Sequence, residues 1–307
     1  MEKQLGVITA EHTYLRSGME ESDDRNRTGI EDEIFAGWAI RILQENPAKD
    51  FVKVETHYGY TGYVNRRDFR RVTRKELEQR QDKERFLRIQ TGEADLLDQP
   101  KVQGLPLELL LKNSIVELLE REVAEGWSKV RSASGQEGYI HTQNLKRRMD
   151  HDGYLLTEEK NADYFQNWEK PVYHDGLADE EVLRERLEDS AREFLGTQYR
   201  WGGKSSQGID CSGLVFMSYL DQGILIYRDA DIKEAYPVKR ISAEQLKKGD
   251  LLFFPGHVAM YLGEGKYIHA TGYYRTPYVT INSLKKSDPD YRPDLAENIT
   301  ECGSIFV

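Results

Sequence analysis

The sequence predicts a multidomain chain: two small all-β units followed by one α+β domain. Three observations predict it. Residues 1–72 and 86–148 each read as short strands of alternating apolar and polar positions, broken by glycine turns at the spacing of a small barrel. Their tails match in order, FVKVETHYGYTGYVNRRDF being echoed by WSKVRSASGQEGYIHTQNL, which is an internal repeat of about 75 residues. The remainder opens on helical patterning and closes on successive strands, the order expected of an α+β domain. At 307 residues the chain is long enough for two or three such domains with cores of their own.

In the first unit the strand signals are GVITA, AIRIL, FVKVET and GYTGYV, with a polar loop from Ser17 to Gly29. Residues 73–85, TRKELEQRQDKER, have helix-forming composition but no apolar stripe wide enough for a core, and read as a helical linker. FLRIQ, WSKVRS and GQEGYI mark the second unit, while its leucine-rich stretch 105–120 is open to a strand or a helix by periodicity. Residues 149–178 are polar and aromatic without a period and read as a connecting segment between domains.

The α+β domain, residues 179–307, is announced by an amphipathic helix over 177–196. Val182, Leu183, Leu187, Ala191, Phe194 and Leu195 recur at helical spacing, acidic residues crowd the first turns, and Gly196 stands where a C-terminal cap belongs. A second helix is expected from Asp210 through CSGLVFMSYLDQG, ending at Gly223. LKKGDLLFF, HVAMYLG, KYIHATG and YVTINSL then read as strands, with turns at Gly249-Asp250 and Glu264-Gly265.

Composition removes several function classes. With 53 acidic against 43 basic residues the formal charge is −10, which suits neither nucleic acid nor an anionic membrane as partner. No run of 18 apolar residues occurs, and MEKQLGVITA has no apolar stretch of the signal-peptide kind, so the expected compartment is the cytoplasm. The alternative is an exported protein whose signal peptide is absent from this chain. Two cysteines, Cys211 and Cys302, make neither a disulfide framework nor a zinc cluster, and a bond between them would consume any catalytic thiol. WGGKSSQG lacks the spacing of a phosphate-binding loop, and no cofactor is expected. Oligomeric state is left open.

The chemistry gathers around Cys211. It follows the glycine-rich WGGKSSQGID at the start of an apolar helix that Asp210 is placed to cap, where the positive helix end favours a thiolate. Taken alone it reads equally as a buried structural thiol. His257, in FFPGHVAMYLG, and His269, twelve residues on in KYIHATG, change that balance. A cysteine nucleophile needs an imidazole to take its proton and a third group to orient that imidazole. Two histidines on neighbouring strands joined by a Gly-Glu-Gly turn can stand side by side, His257 as base and His269 as its orienter.

The ordered set YRWGG, DCSGLV, GDLLFF, HVAMYLG and YIHA resembles the NlpC-type papain-like cell-wall cysteine peptidases over about residues 180–307, and the two repeats resemble bacterial SH3-like barrels. The resemblance implies a catalytic set of Cys211, His257 and His269, with Tyr199 donating to the oxyanion. Two SH3-like modules ahead of the peptidase domain further resemble the γ-D-glutamyl-L-diamino acid endopeptidases. That likeness implies a peptidoglycan-derived peptide with a free N-terminal L-Ala as substrate, cleaved in cell-wall peptide recycling. It also implies Asp210 and Ser212 as acceptors for the ammonium, Tyr60 closing the non-prime end of the cleft, and Arg228 with Asp229 beside the peptide. One position departs from the pattern. Gly37 is followed by Trp38 where that subgroup carries an acid, so the ammonium would fall to Asp210 or to a neighbour such as Glu33. Whether the diamino acid is diaminopimelate or lysine stays open. A lytic enzyme on intact peptidoglycan and a non-catalytic wall-peptide-binding protein are the alternatives.

Overall fold

A computed structural model describes residues 4–18, 29–148 and 180–307. Most of the expected polar loop 17–29, the whole segment 149–178 and the first three residues of the expected helix 177–196 lie outside the described residues. The described chain falls into two compact units, one ending at Arg148 and the other covering 180–307.

The first unit holds two seven-stranded antiparallel sheets. One is built from Gln4–Ile8, His12–Arg16, Ile30–Phe35, Ala39–Gln44, Phe51–Thr56, Thr61–Asn65 and Phe69–Val72. The other is built from Phe86–Ile89, Glu93–Leu97, Pro106–Leu111, Ile115–Ala124, Trp127–Arg131, Glu137–His141 and Leu145–Lys146. Counted from its own first strand, each sheet runs in the order third, second, sixth, fifth, fourth, first, seventh. The sequence repeat is therefore a repeat of topology. Alternation sets the buried faces: Val52, Val54 and Thr56 point inward in one copy, and Val130 joins Ile89, Leu96, Leu110, Val116 and Ile140 in the core of the other.

The leucine-rich stretch forms strands because Asn113, in the left-handed region at φ 68°, makes a tight turn in which the Ser114 N–H donates to the Leu111 carbonyl at 2.9 Å. The expected helical linker is shorter than residues 73–85 and is not a plain spacer. Its helix covers Arg74–Gln79, capped by the Thr73 hydroxyl, and Asp82 then accepts from the Glu84 and Arg85 N–H groups in a turn that leaves the helix. Leu77 is buried with Leu5, Val7, Ala36, Ala39 and Ala133, a cluster that draws on both sheets.

A polar seam joins the two sheets. The Ile115 N–H donates to the Ala36 carbonyl at 2.9 Å, Trp38 Nε1 to the Asn113 carbonyl at 2.9 Å, and Arg80 Nη2 to the Gly37 carbonyl at 3.0 Å. Gly37 is required twice over: its φ is 84°, and a Cβ there would lie 2.6 Å from the Ile115 carbonyl oxygen. Burial, with Arg70 and Arg148 nearby, pulls the Arg80 guanidinium down to about 10.

In the second unit six antiparallel strands form one sheet: Lys239–Ile241, Leu251–Phe254, His257–Gly263, Lys266–Ala270, Val279–Ser283 and Glu301–Ser304. The last of these inserts between the first two, and the other strands follow in chain order. A helix at Glu180–Arg192 turns Leu183, Leu187 and Ala191 inward, with Phe194 buried in the turn beyond; Val182 is half-buried and Leu195 is exposed. Arg184, on the buried face, ion-pairs with Asp250 at 2.9 Å and so ties this helix to the Gly249-Asp250 turn. Cys211–Asp221 forms a helix buried on every side, consistent with its continuous apolar run. Both cysteines are free, Cys302 packing with Leu252, Phe254, Ala259 and Tyr267. Among the described residues no helix is long and apolar enough to cross a membrane.

Candidate active site

The site is assembled where the start of the Cys211 helix meets the strand that begins at His257. Asp210 is extended at φ −96°, ψ 178°, and its Oδ1 accepts the Gly213 N–H at 2.6 Å, closing the first turn. The glycine-rich stretch before it is a tight hairpin, Lys204–Ser205 against Gly208–Ile209, that packs on the helix start. A Cβ on Gly213 would lie 2.3 Å from the Gly203 carbonyl oxygen, so only glycine allows this approach.

Backbone N–H groups of Val258 and Ser212 point at the Cys211 sulfur, which puts the thiol beside the residue that follows His257. The expected low thiol pKa is not found. Burial, and then the Asp210 carboxylate, push Cys211 up to about 11 against the weaker pull of those N–H groups and of Arg228. The helix start does favour the anion, but burial and the carboxylate that caps it oppose it. At neutral pH the sulfur is a thiol, so acting as a nucleophile would require a neighbour to remove its proton.

The two histidines stand as the hairpin spacing implies. Their strands pair antiparallel, with Met260 opposite Ile268, and His257 Nε2 lies 2.8 Å from His269 Nδ1. Burial, with a smaller contribution from Arg292, holds His257 down to about 4; burial and then His257 hold His269 down to about 3. Both are neutral at pH 7, the form that accepts a proton. Beyond them is a residue not singled out in the sequence. Asn282 Oδ1 lies 2.9 Å from His269 Nε2, and Asn282 Nδ2 donates to the Asp290 carbonyl at 2.7 Å. Its signal was an asparagine inside the strand YVTINSL, a residue type depleted in strands.

Tyr199 packs its ring 3.4 Å from where a Cβ of Gly272 would stand, and burial, then Cys211 and Asp210, raise its phenol well above the usual range. It is thus a neutral hydroxyl within the electrostatic reach of Cys211. Asp210, Ser212 and Arg228 form one buried group. Arg228 Nη1 reaches Ser212 Oγ at 2.7 Å and Asp210 Oδ1 at 3.1 Å, while Nη2 reaches Asp210 Oδ2 at 3.2 Å. The Gly202 and Gly213 N–H groups and the Ser212 hydroxyl also donate to Asp210, giving its two oxygens five hydrogen bonds against about four lone-pair sites. A substrate ammonium arriving there would compete with Arg228.

Asp229 lines a small cleft with Tyr227, Lys233 and Tyr236. Tyr60 belongs to the first unit, half-buried, its N–H donating to Thr56 Oγ1 at 3.0 Å and its ring beside Tyr58. Trp38 and Glu33 are wholly buried there, Trp38 edge-on to Phe35, His57 and Tyr58, and Glu33 3.7 Å from His12. Among the described residues no cluster of three His, Cys, Asp or Glu is gathered to hold a metal.

The model of the NlpC/P60 family matches residues 196–291, a span holding Tyr199, Cys211, His257, His269 and Asn282. A dipeptidyl-peptidase 6 from Lysinibacillus sphaericus is 36% identical over 282 residues, which is 90% of this chain and 92% of that protein. The chain belongs to the NlpC/P60 family. The fold agrees: an NlpC/P60 family protein from Bacillus cereus matches with a TM-score of 0.71 at 20% identity, covering 97% of this chain and 98% of that one. A γ-D-glutamyl-L-lysine dipeptidyl-peptidase from Bacillus subtilis is 40% identical over 85 residues, 25% of this chain and 28% of that protein. The second unit of this NlpC/P60 chain thus carries a cysteine-peptidase-like fold related to peptidoglycan hydrolases.

Proposed function

We propose that this NlpC/P60 chain hydrolyses the γ-D-glutamyl-L-diamino acid bond of short peptidoglycan peptides, as part of the recycling of cell-wall material in the cytoplasm. The observation that carries the reading is the His257–His269 hydrogen bond of 2.8 Å on the strand whose Val258 N–H meets the Cys211 sulfur. Its choice of bond draws on the likeness to proteins described as dipeptidyl-peptidase 6 and γ-D-glutamyl-L-lysine dipeptidyl-peptidase.

In the proposed reaction, His257 takes the Cys211 proton through Nδ1, the ring nitrogen not used by His269, as sulfur bonds to the carbonyl carbon. The oxyanion accepts from the Cys211 N–H and the Tyr199 hydroxyl; one such donor supplies about 3 kcal/mol. Collapse breaks the C–N bond, His257 returns the proton to the leaving amine, and water hydrolyses the thioester. Asp210 and Ser212 receive the free amine of L-Ala, with Arg228 yielding part of its hold, and Asp229 stands beside the peptide.

The test offers L-Ala-γ-D-Glu-diamino acid peptides with a free or an acetylated N-terminus. Cleavage at the γ-glutamyl bond, lost in Cys211→Ala and slowed by acetylation, is the expected result. Equal cleavage of both peptides would remove amine recognition, release of soluble fragments from purified sacculi would favour a lytic enzyme, and unchanged turnover in Cys211→Ala would remove the thiol chemistry.

A further inference from the structure

We infer that Asn282 is a positioning residue for the two-histidine pair, fixing which ring nitrogen of each imidazole carries the proton. The inference rests on the reading of His257 as the base for Cys211, and it concerns a residue outside that set. Its starting point is the Asn282 amide, whose orientation is decided locally. Nδ2 can only donate, and it donates to the Asp290 carbonyl at 2.7 Å, which turns Oδ1 toward His269 Nε2 at 2.9 Å. Because Oδ1 can only accept, His269 carries its proton on Nε2. A neutral His269 then has a bare Nδ1, which accepts from His257 Nε2 at 2.8 Å. A neutral His257 protonated on Nε2 keeps the Nδ1 lone pair free for the thiol. One amide thus sets two tautomers in series, and the wrong setting would present an N–H to the sulfur where a base is needed.

The amide is held firmly enough to do this. Asn282 stands opposite Tyr267 in the strand pairing and two residues from Thr280, the partner of His269, so it reaches His269 across the diagonal of the ladder. The Asp290 carbonyl it addresses is anchored in turn: Lys266 Nζ binds the Asp290 carboxylate at 2.9 Å and Asp288 at 2.8 Å, closing the loop after the strand back onto the strand before it. The charged and titratable groups that act on His269 are His257, Arg292 and Asp294, and Tyr267 packs its ring 5.1 Å away. None of them replaces Asn282 as an acceptor at Nε2.

The experiment compares the wild type with Asn282→Ala and Asn282→Asp, checking by thermal unfolding that each is folded. Long-range 1H–15N spectra of the imidazoles, assigned through His269→Gln, read the tautomers without any substrate. In the wild type both rings are expected with the proton on Nε2. Asn282→Ala should populate the Nδ1–H form of His269 and lower kcat by about tenfold to a hundredfold with KM changed less than about twofold. Asn282→Asp keeps an acceptor. It should restore the Nε2–H form, recover part of kcat, and move the acid limb of the pH profile upward, because a carboxylate favours the imidazolium. Unchanged tautomers in a folded Asn282→Ala, or an Asn282→Asp protein no better than Asn282→Ala in both spectrum and kcat, would overturn the assignment. Either result leaves the role of Cys211 untouched, and survival of activity in Cys211→Ala would remove the proposed reaction while leaving the tautomer spectra to stand.

Discussion

Each oxygen of Asp210 accepts from a backbone N–H and from the Arg228 guanidinium, so a single carboxylate caps the Cys211 helix, neutralises a buried arginine and raises the thiol beside it. Arg228 is 2% exposed, and its fork meets both carboxylate oxygens. Removing the guanidinium would leave a nearly buried anion with only neutral donors. Arg228→Met should therefore lower the unfolding free energy by about 3–5 kcal/mol in urea titration. A loss below about 1 kcal/mol would mean that water reaches Asp210 and that the pair is not structural. The cysteine and both histidines could be read from the sequence because motif and hairpin spacing fix them locally. The partner of Arg228 could not. Which side chain a buried arginine meets is decided by the packing of a loop against a helix start, and Arg228 and Asp210 lie 18 residues apart in the chain.

Among the elements, the helix at Cys211–Asp221 shows two principles in competition. Alanine is the better helix former by about 1 kcal/mol, so Gly213→Ala should help an isolated helix. Here the added Cβ would stand 2.3 Å from the Gly203 carbonyl oxygen and 2.9 Å from Asp210 Oδ1, and backbone has to move to admit it. We expect the clash to win, with Gly213→Ala less stable by about 1–3 kcal/mol and slower in turnover, since the displaced atoms belong to the cap. Equal or greater stability with full activity would show that the hairpin yields freely. The hairpin itself, of two-residue strands, was legible only as a cluster of glycines. Asn282 was hidden for a related reason. Its reach to His269 depends on the register between two strands joined through residues 271–278, and no periodicity in either strand encodes that register.

For the whole molecule, acid is the condition to which the site is most exposed. In the unfolded chain the imidazoles of His257 and His269 bind protons near pH 6.5, whereas in the native state they do not until about 4 and 3. Between pH 6.5 and 4 the unfolded state binds more protons, so stability must fall as pH falls through that range. The melting temperature should drop from pH 6.5 to 4.5 by more in the wild type than in a His257→Gln, His269→Gln double variant; equal slopes would place the acid sensitivity elsewhere. At this scale the internal repeat was visible as matching tails, and the structure gives both copies one strand order. The strands Lys239–Ile241 and Glu301–Ser304 were not visible, because three- and four-residue strands carry almost no pattern and pair with distant partners. Duplication ordinarily yields interchangeable parts. The seam at Ala36, Gly37 and Trp38 has ended that here, for a chain cut after residue 72 would strip the Trp38 indole of its acceptor at Asn113 and the Ala36 carbonyl of its donor at Ile115. The two copies have become one folding unit, each finishing the other's hydrogen bonds, and neither could be lent to another protein intact.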